Sequence, residues 1–349
     1  MKITIKSKFG NYTVENINKL SFKKSENNFH LIDKNVYKKI LKKNIKGKLI
    51  ILDTSEKLKN YYEIGKIIKK LINLKVRKNS IIIAIGGGIV QDIAGFISSI
   101  LFRGIQWNFY PSTLLSQGDS CIGAKTSINF AEAKNQLGNF YPPSKIFIFT
   151  DFLKFLKKKD IYSGLGELAH YFLVSNSKDW RFYVLNFEKF LKESNKNRNI
   201  ILQKLTFKSL LIKKKFIEKD ELDTGKRLIL NYGHSFGHSI EKLTNYKIPH
   251  GLAVAHGINI ANFFSFKLNL MNYKKFKEIE KIIRKIVNLN EISKLNSINF
   301  VNILKKDKKN VGNSFRLILS KGVGRMFVKK INNQNIVKNL LKDYLKYVQ

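Results

Sequence analysis

Ser80-Ile81-Ile82-Ile83-Ala84-Ile85-Gly86-Gly87-Gly88 decides the fold. The apolar run reads as a strand buried on both faces, and it ends in three glycines from which an apolar helical stretch, residues 90–103, sets out at once. A strand–turn–helix unit of this kind lets backbone N–H groups and a positive helix N-terminus approach a pyrophosphate with no side chain in the way. Gln91 stands where the usual dinucleotide fingerprint carries a third spaced glycine or alanine, so a tight turn required only for packing is also compatible with the run.

The same alternation continues on either side. Residues 29–33, 48–53, 105–111 and 145–150 read as further buried strands, and residues 61–74 as a helix between them. This predicts a Rossmann-like α/β domain with a mainly parallel sheet over residues 1–152. Beyond it the pattern is helical, at residues 164–175, 180–191, 200–219, 234–243, 251–268 and 274–287. A mostly α-helical second domain over residues 153–349 is expected, with residues 315–319 and 324–331 as a short hairpin.

A chain of 349 residues, 44% hydrophobic, can bury substantial cores and by length suits two domains. No run approaches the ~18 apolar residues of a membrane span, and the N-terminus lacks an apolar signal core, so a cytoplasmic location without membrane contact is expected. Cys121 is the single cysteine, which excludes an internal disulfide and leaves any metal to nitrogen and oxygen ligands. The net charge of +40 would by itself suggest nucleic acid. Only eight of the 65 basic residues are arginine, however, and the lysines are spread over the whole length among Asn and Ile. Composition bias therefore accounts for the charge better than a nucleic-acid surface does, and what survives is a field that draws in anionic, phosphorylated substrates.

Five of the six histidines lie between His170 and His256. Asn231-Tyr232-Gly233-His234-Ser235-Phe236-Gly237-His238 sets two imidazoles one turn apart on a helix face. Pro249-His250-Gly251 supplies a third at the start of the next helix, and Glu167 in Ser163-Gly164-Leu165-Gly166-Glu167 supplies a carboxylate. One glutamate and two histidines with an open position are a catalytic zinc-type set, although unrelated polar residues in a helical bundle could share the spacing. Glu167 and His170 also match the spacing used in di-iron bundles, but that fold needs a second such pair, which the sequence lacks.

These residues belong to a longer pattern. Gly86-Gly87-Gly88 with Asp92, Gly95, Phe96, Arg103 and Gly104 is followed by Pro111-Ser112-Thr113-Leu114-Leu115, Asp119-Ser120, Lys125-Thr126 and Lys134-Asn135. Then come Ser163-Gly164-Leu165, Glu167, Asp220-Glu221, Arg227, Leu230-Asn231, Gly233-His234, Gly237-His238 and His250-Gly251. In order and spacing, over roughly residues 30–330, the chain resembles the 3-dehydroquinate synthase family of sugar-phosphate cyclases.

The resemblance implies a Rossmann-like NAD domain, a helical metal domain and an active site in the cleft between them. It implies Glu167, His234 and His250 as ligands of a divalent metal, usually zinc, with cobalt as an alternative. His238 corresponds to a proton-handling or phosphate-adjacent residue, and Asp119, Lys125, Asn135, Lys213, Arg227 and Asn231 to substrate ligands. Arg103 resembles an arginine that reaches the substrate phosphate of the neighbouring subunit, which implies a homodimer. Asp33, Glu56, Lys59, Gly87, Gly88, Asp92 and Thr113 fall where the family holds NAD, with Asp119, Lys125 and Lys134 beside them. His170 is the chief departure, since the family usually carries lysine there, and it joins the expected catalytic set. Leu252, Gln91 and Ala124 are smaller departures.

The implied reaction converts 3-deoxy-D-arabino-heptulosonate 7-phosphate to 3-dehydroquinate and phosphate by transient oxidation with NAD, elimination and aldol closure. Related cyclases act on sedoheptulose 7-phosphate or glucose 6-phosphate and replace some anion-binding residues, whereas Lys213, Arg227 and Asn231 are all kept here. Metal-dependent glycerol and alcohol dehydrogenases share the two-domain plan, but they typically bind metal through aspartate and lack the set of Lys125, Lys134, Asn135 and Arg227.

Overall fold

A computed structural model describes residues 1–22, 25–42, 45, 47–131, 133–306 and 314–349. The chain first forms strands β1 (Lys2–Ile5), β2 (Tyr12–Asn16) and β3 (Asn28–Asp33), the one-turn helix α1 (Lys34–Val36), β4 (Lys48–Leu52) and α2 (Tyr61–Asn73). It continues with β5 (Ile81–Gly86), α3 (Gly88–Ile100), β6 (Gln106–Pro111), β7 (Lys125–Phe130), β8 (Ala133–Phe140) and β9 (Lys145–Ile148). Two compact units result, Met1–Leu156 with Leu202–Glu221, and Lys157–Ile201 with Leu222–Gln349.

In the first unit, among the described residues, seven strands form one sheet in the order β1-β2-β9-β6-β5-β3-β4. The β1–β2 pair is antiparallel and every other pair parallel. Side chains alternate between two buried faces. Leu31, Ile82, Ala84 and Phe109 enter a core with Ile64 and Ile67 of α2 and Val90 and Ile93 of α3, whereas Ile32, Ile83, Ile85 and Tyr110 enter a second core with Leu41 and Phe152. Burial on both sides is what turns a strand into an unbroken apolar run, and it explains why these strands stand out in the sequence. The connection order reverses between β3 and β5, so Asp33 and Gly86 end the two strands that flank the switch point, where doubly wound sheets take their ligands.

Two features escape the sequence pattern. β1 and β2 extend the sheet at its edge, and β7 and β8 form a separate hairpin from Lys125↔Phe140 to Phe130↔Ala133. The hairpin strands, Lys-Thr-Ser-Ile-Asn-Phe and Ala-Lys-Asn-Gln-Leu-Gly-Asn-Phe, carry few apolar positions and therefore little alternation to detect.

The second unit is mainly helical, as expected. Its elements are α4 (Lys158–Ser175), α5 (Ser177–Lys192), the start of α6 (Asn195–Ile217), α7 (His234–Leu243), α8 (His250–Lys267), α9 (Tyr273–Ile286) and α10 (Ser297–Lys305). The expected hairpin follows as β10 (Phe315–Ser320) and β11 (Met326–Ile331), and α11 (Gln334–Tyr347) closes the chain. α8 is buried continuously from Gly251 to Ser265, so its position is set by neighbours on every side. Among the described residues no helix is long and apolar enough to cross a membrane.

His30 on β3 is almost fully buried, and desolvation holds its imidazole below the ordinary value of 6.5. The folded chain thus keeps this ring neutral where the unfolded chain binds a proton, so its contribution to stability is intact above pH 6.5 and lost as the pH falls below it. We expect the unfolding free energy of His30→Phe, read from urea melts, to fall less than that of the parent between pH 7.5 and 5.5. Parallel pH profiles for the two proteins would contradict this.

Candidate functional site

Backbone approach between helices builds the first part of the site. A Cβ on Gly251 of α8 would lie 1.8 Å from the Ser163 carbonyl oxygen of α4, and one on Gly166 would lie 2.3 Å from the Gly251 carbonyl oxygen. The Ser163 hydroxyl also accepts a hydrogen bond from the Gly251 N–H at 3.1 Å. α7 and α8 are as close, since a Cβ on Gly257 would stand 2.0 Å from the Gly233 carbonyl oxygen. Gly233, at φ +82°, takes a left-handed turn that other residues resist and starts α7 immediately before His234.

Three donors converge as a result. Glu167 on α4 is 1% exposed, and its Oε1 lies 3.5 Å from His234 Nε2 while its Oε2 lies 3.6 Å from His250 Nε2. One donor atom from each residue falls within 4.8 Å of the other two. The carboxylate–imidazole distances are long for hydrogen bonds, but they match the separation of about 3.4 Å between ligands held ~2.1 Å from a tetrahedral ion. Each imidazole is also anchored on its far side: His234 Nδ1 lies 3.3 Å from the Tyr232 carbonyl oxygen, and His250 Nδ1 lies 3.1 Å from Glu241 Oε2. Such anchoring is how proteins aim histidine ligands, so these residues fit a divalent metal.

Two further expected residues, both histidines, lie beside this trio. His238 is exposed on α7, its ring stacked 5.6 Å from that of His250. His170 is fully buried, with Nδ1 3.8 Å from Glu167 Oε1 and its ring 5.0 Å from that of His234. Arg227 is buried on the 3₁₀ turn Lys226–Asn231 that leads toward α7, and Asn231 donates from Nδ2 to the Leu228 carbonyl at 3.1 Å. Glu241 is the residue that sequence reasoning missed, and its signal was a helical repeat, since it lies two turns after His234 on the same face.

The first unit carries a second set. At the triple glycine the surroundings differ from residue to residue: a Cβ on Gly86 would strike Val90 Cγ2 at 2.4 Å, whereas one on Gly88 would meet nothing within 4 Å. The N-terminus of α3 is therefore open, with Gly87 as a cap that offers no side chain and Thr113 adjacent to it. Asp33 accepts hydrogen bonds from the Asn35 and Val36 N–H groups and the Thr54 hydroxyl. Lys59, although a lysine, is buried, and its Nζ donates to Asp92 Oδ2 at 2.6 Å and to Asn135 Oδ1 at 2.8 Å. Desolvation raises the Asp92 carboxyl above its ordinary value, against the opposing pull of the Lys59 ammonium. Asp92 Oδ1 also accepts from the Ser127 N–H at 3.2 Å, and Glu56 accepts from Asn129 at 2.8 Å and lies 3.6 Å from Lys134 Nζ. Lys59 thus fastens the β7–β8 hairpin to α3.

Lys213 on α6 donates to Asp119 Oδ1 at 2.7 Å and to the Asp119 carbonyl at 2.8 Å. Lys125 is exposed at the start of β7. Arg103 is exposed in a strained stretch, where Phe102, Arg103 and Gly104 have φ of 49°, 58° and 109°. Lys78 Nζ donates to the carbonyls of Phe102 at 2.8 Å and Gly104 at 2.5 Å, which holds that stretch in place.

Family models for the 3-dehydroquinate synthase N-terminal and C-terminal domains match residues 49–163 and 164–310. The 3-dehydroquinate synthase of Dictyoglomus turgidum is 36% identical over 295 residues, covering 84% of this chain and 81% of that protein. Among solved structures, 2-deoxy-scyllo-inosose synthase in complex with carbaglucose-6-phosphate, NAD+ and Co2+ has a TM-score of 0.82 at 20% identity, covering 98% of this chain and 99% of its own. The 2-epi-5-epi-valiolone synthase of Streptomyces hygroscopicus, with NAD+ and Zn2+ bound, has a TM-score of 0.81 at 21% identity, covering 92% and 91%.

Three substitutions probe the supports described above. Gly251→Ala should lower stability by about 3 kcal/mol, because backbone cannot yield to a methyl group as a side chain can, whereas Gly88→Ala should be neutral within a few tenths. Lys59→Met should cost about 2 kcal/mol through the loss of charged hydrogen bonds. Urea midpoints of the three variants check both expectations, and an undiminished midpoint in Gly251→Ala would contradict the close helix approach.

Proposed function

This chain belongs to the 3-dehydroquinate synthase family, and we infer that it converts 3-deoxy-D-arabino-heptulosonate 7-phosphate to 3-dehydroquinate and phosphate with the help of NAD and a divalent metal. The observation that carries this reading furthest is the convergence of Glu167, His234 and His250, each imidazole anchored through Nδ1 and presenting Nε2 to a buried carboxylate. Zinc is the ion these donors suit, and cobalt accepts the same ligands. The similarly folded cyclases that hold NAD+ with Co2+ or Zn2+ support both cofactors. Gly87, Gly88 and Thr113 would hold the pyrophosphate of NAD at the open start of α3, with Asp33 at the end of β3 on the other side of the switch point. The network of Glu56, Lys59, Asp92 and Lys134 shapes the same region.

When bound, NAD supplies a reversible oxidation of one secondary alcohol, and the metal polarises neighbouring substrate oxygens. The chain's own residues do the rest. Arg227 and Lys213 bind the carboxylate and phosphate of the substrate, the planar guanidinium matching two oxygens at once. Asp119 aims Lys213 through its 2.7 Å contact. Lys125, Asn135 and Asn231 add donors, and His238, exposed beside the trio, holds or passes a proton at a substrate hydroxyl. The substrate loses a proton from the carbon next to the oxidised centre as its phosphate ester C–O bond breaks, with phosphate accepting the proton. A C–C bond then closes the ring, a step that needs chiefly a held geometry, and no net oxidation remains. His170 replaces a fixed cation by an imidazole beside Glu167, which leaves the other cations to hold the anionic groups. Arg103, presented by its strained backbone, would serve the site of a second copy in a homodimer.

Purified protein given the heptulosonate phosphate should release inorganic phosphate only when NAD and zinc are both supplied, with no accumulation of NADH. Glu167→Ala and His250→Ala should lose bound metal and at least about 10²-fold in turnover. Steady NADH production would instead indicate a dehydrogenase, and full turnover by metal-depleted variants would overturn the ligand assignment.

A further inference from the structure

We propose that Glu241 is the positioning residue of the metal centre: its carboxylate fixes His250 with Nε2 turned toward Glu167 and so sets the affinity for the ion. The inference rests on the reading of Glu167, His234 and His250 as ligands. His250 is the first residue of α8, and its side chain is 33% exposed, so packing alone does not choose between the two ring orientations that differ by a half-turn about χ2. The 3.1 Å contact between Nδ1 and Glu241 Oε2 does choose, because the flipped ring would present carbon to the carboxylate and withdraw Nε2 from Glu167.

Glu241 is itself held where it can do this. It lies on α7, two turns after His234 and on the same face, with its side chain 14% exposed. One rigid helix therefore supplies a ligand and the group that aims another, while the glycine contacts between α7 and α8 fix the distance from Glu241 to His250. The two imidazoles are also made unequal. His234 Nδ1 faces a neutral carbonyl at 3.3 Å, whereas His250 Nδ1 faces a carboxylate, which favours the Nδ1–H tautomer and makes Nε2 the stronger donor.

A competing arrangement uses some of the same atoms. His238, Glu241 and His250 also offer one donor each within 4.8 Å, so Glu241 could be a direct ligand of its own ion. That role is incompatible with a hydrogen bond from His250 Nδ1–H to Glu241, and ion stoichiometry separates the two.

The experiment uses the full chain as Glu241→Gln, Glu241→Ala and His250→Ala. Zn2+ affinity is read by competition with a chromophoric chelator, coordination by the visible spectrum of the Co2+-loaded protein, and structural damage by the thermal midpoint of the metal-free protein. Glu241→Ala should bind Zn2+ about 10- to 100-fold more weakly with an altered Co2+ spectrum, a metal-free midpoint close to that of the parent and one ion per chain throughout. Glu241→Gln, which keeps an acceptor without the charge, should recover part of the loss. Unchanged affinity in Glu241→Ala, or a fall from two ions to one, would overturn the proposal, as would a weakening matched by a lower metal-free midpoint and not relieved by glutamine. Should His250→Ala keep the parent affinity, the ligand assignment itself fails. Should His250→Ala lose the metal while Glu241→Ala keeps it, only the role of Glu241 fails.

Discussion

A buried carboxylate governs the second unit. Glu167 is almost wholly withdrawn from water, and a charge in such a place persists only when opposite charge or strong donors surround it. Two imidazoles face it at distances suited to sharing a cation, and everything nearby serves to keep them there. The glycines at 166, 233, 251 and 257 let α4, α7 and α8 meet at backbone contact, and that contact is what carries the starts of α7 and α8 to the carboxylate. The packing thus leaves a buried carboxylate facing two imidazoles across a gap of the size that ligands of one ion span.

The first unit uses the same principle with the signs exchanged. Lys59 is the buried charge, and Asp92 with Asn135 are its partners, drawn from a helix and a hairpin far apart in the chain. A hairpin with few apolar residues cannot dock through hydrophobic area alone, so a directional anchor compensates for what its composition lacks. Lys134 and Asn135 are consequently held by polar bonds rather than by packing.

The legibility of the chain follows from these constraints. The parallel strands were readable because both of their faces are buried, and the long helices because one or all faces are apolar. The trio of Glu167, His234 and His250 was readable because histidine is scarce and the resemblance fixed which residues belong together. By contrast, β7 and β8 gave too little alternation, and α10 and α11 lie where short amphipathic runs blend into lysine-rich surroundings. Glu241 shares a helix face with His234, but its contact with His250, like the burial of Lys59, depends on partners that only the folded chain brings near. Pairings across long sequence separations are the part of a site that no local pattern encodes.

The high positive charge bears on function only at one remove. Surface lysines create a field that falls off over about 8 Å at physiological ionic strength, which raises the encounter rate with anionic substrates but cannot tell one phosphate from another. Discrimination needs cations that are buried and held, and Arg227 and Lys213 are such groups, each about 95% buried, with Asp119 tied to the latter. A cation buried in this way is oriented by the protein itself, as Lys213 is by Asp119, so its geometry is fixed before any ligand arrives. The abundance of lysine bears on attraction alone, whereas selectivity among phosphates is something only buried, oriented cations can supply.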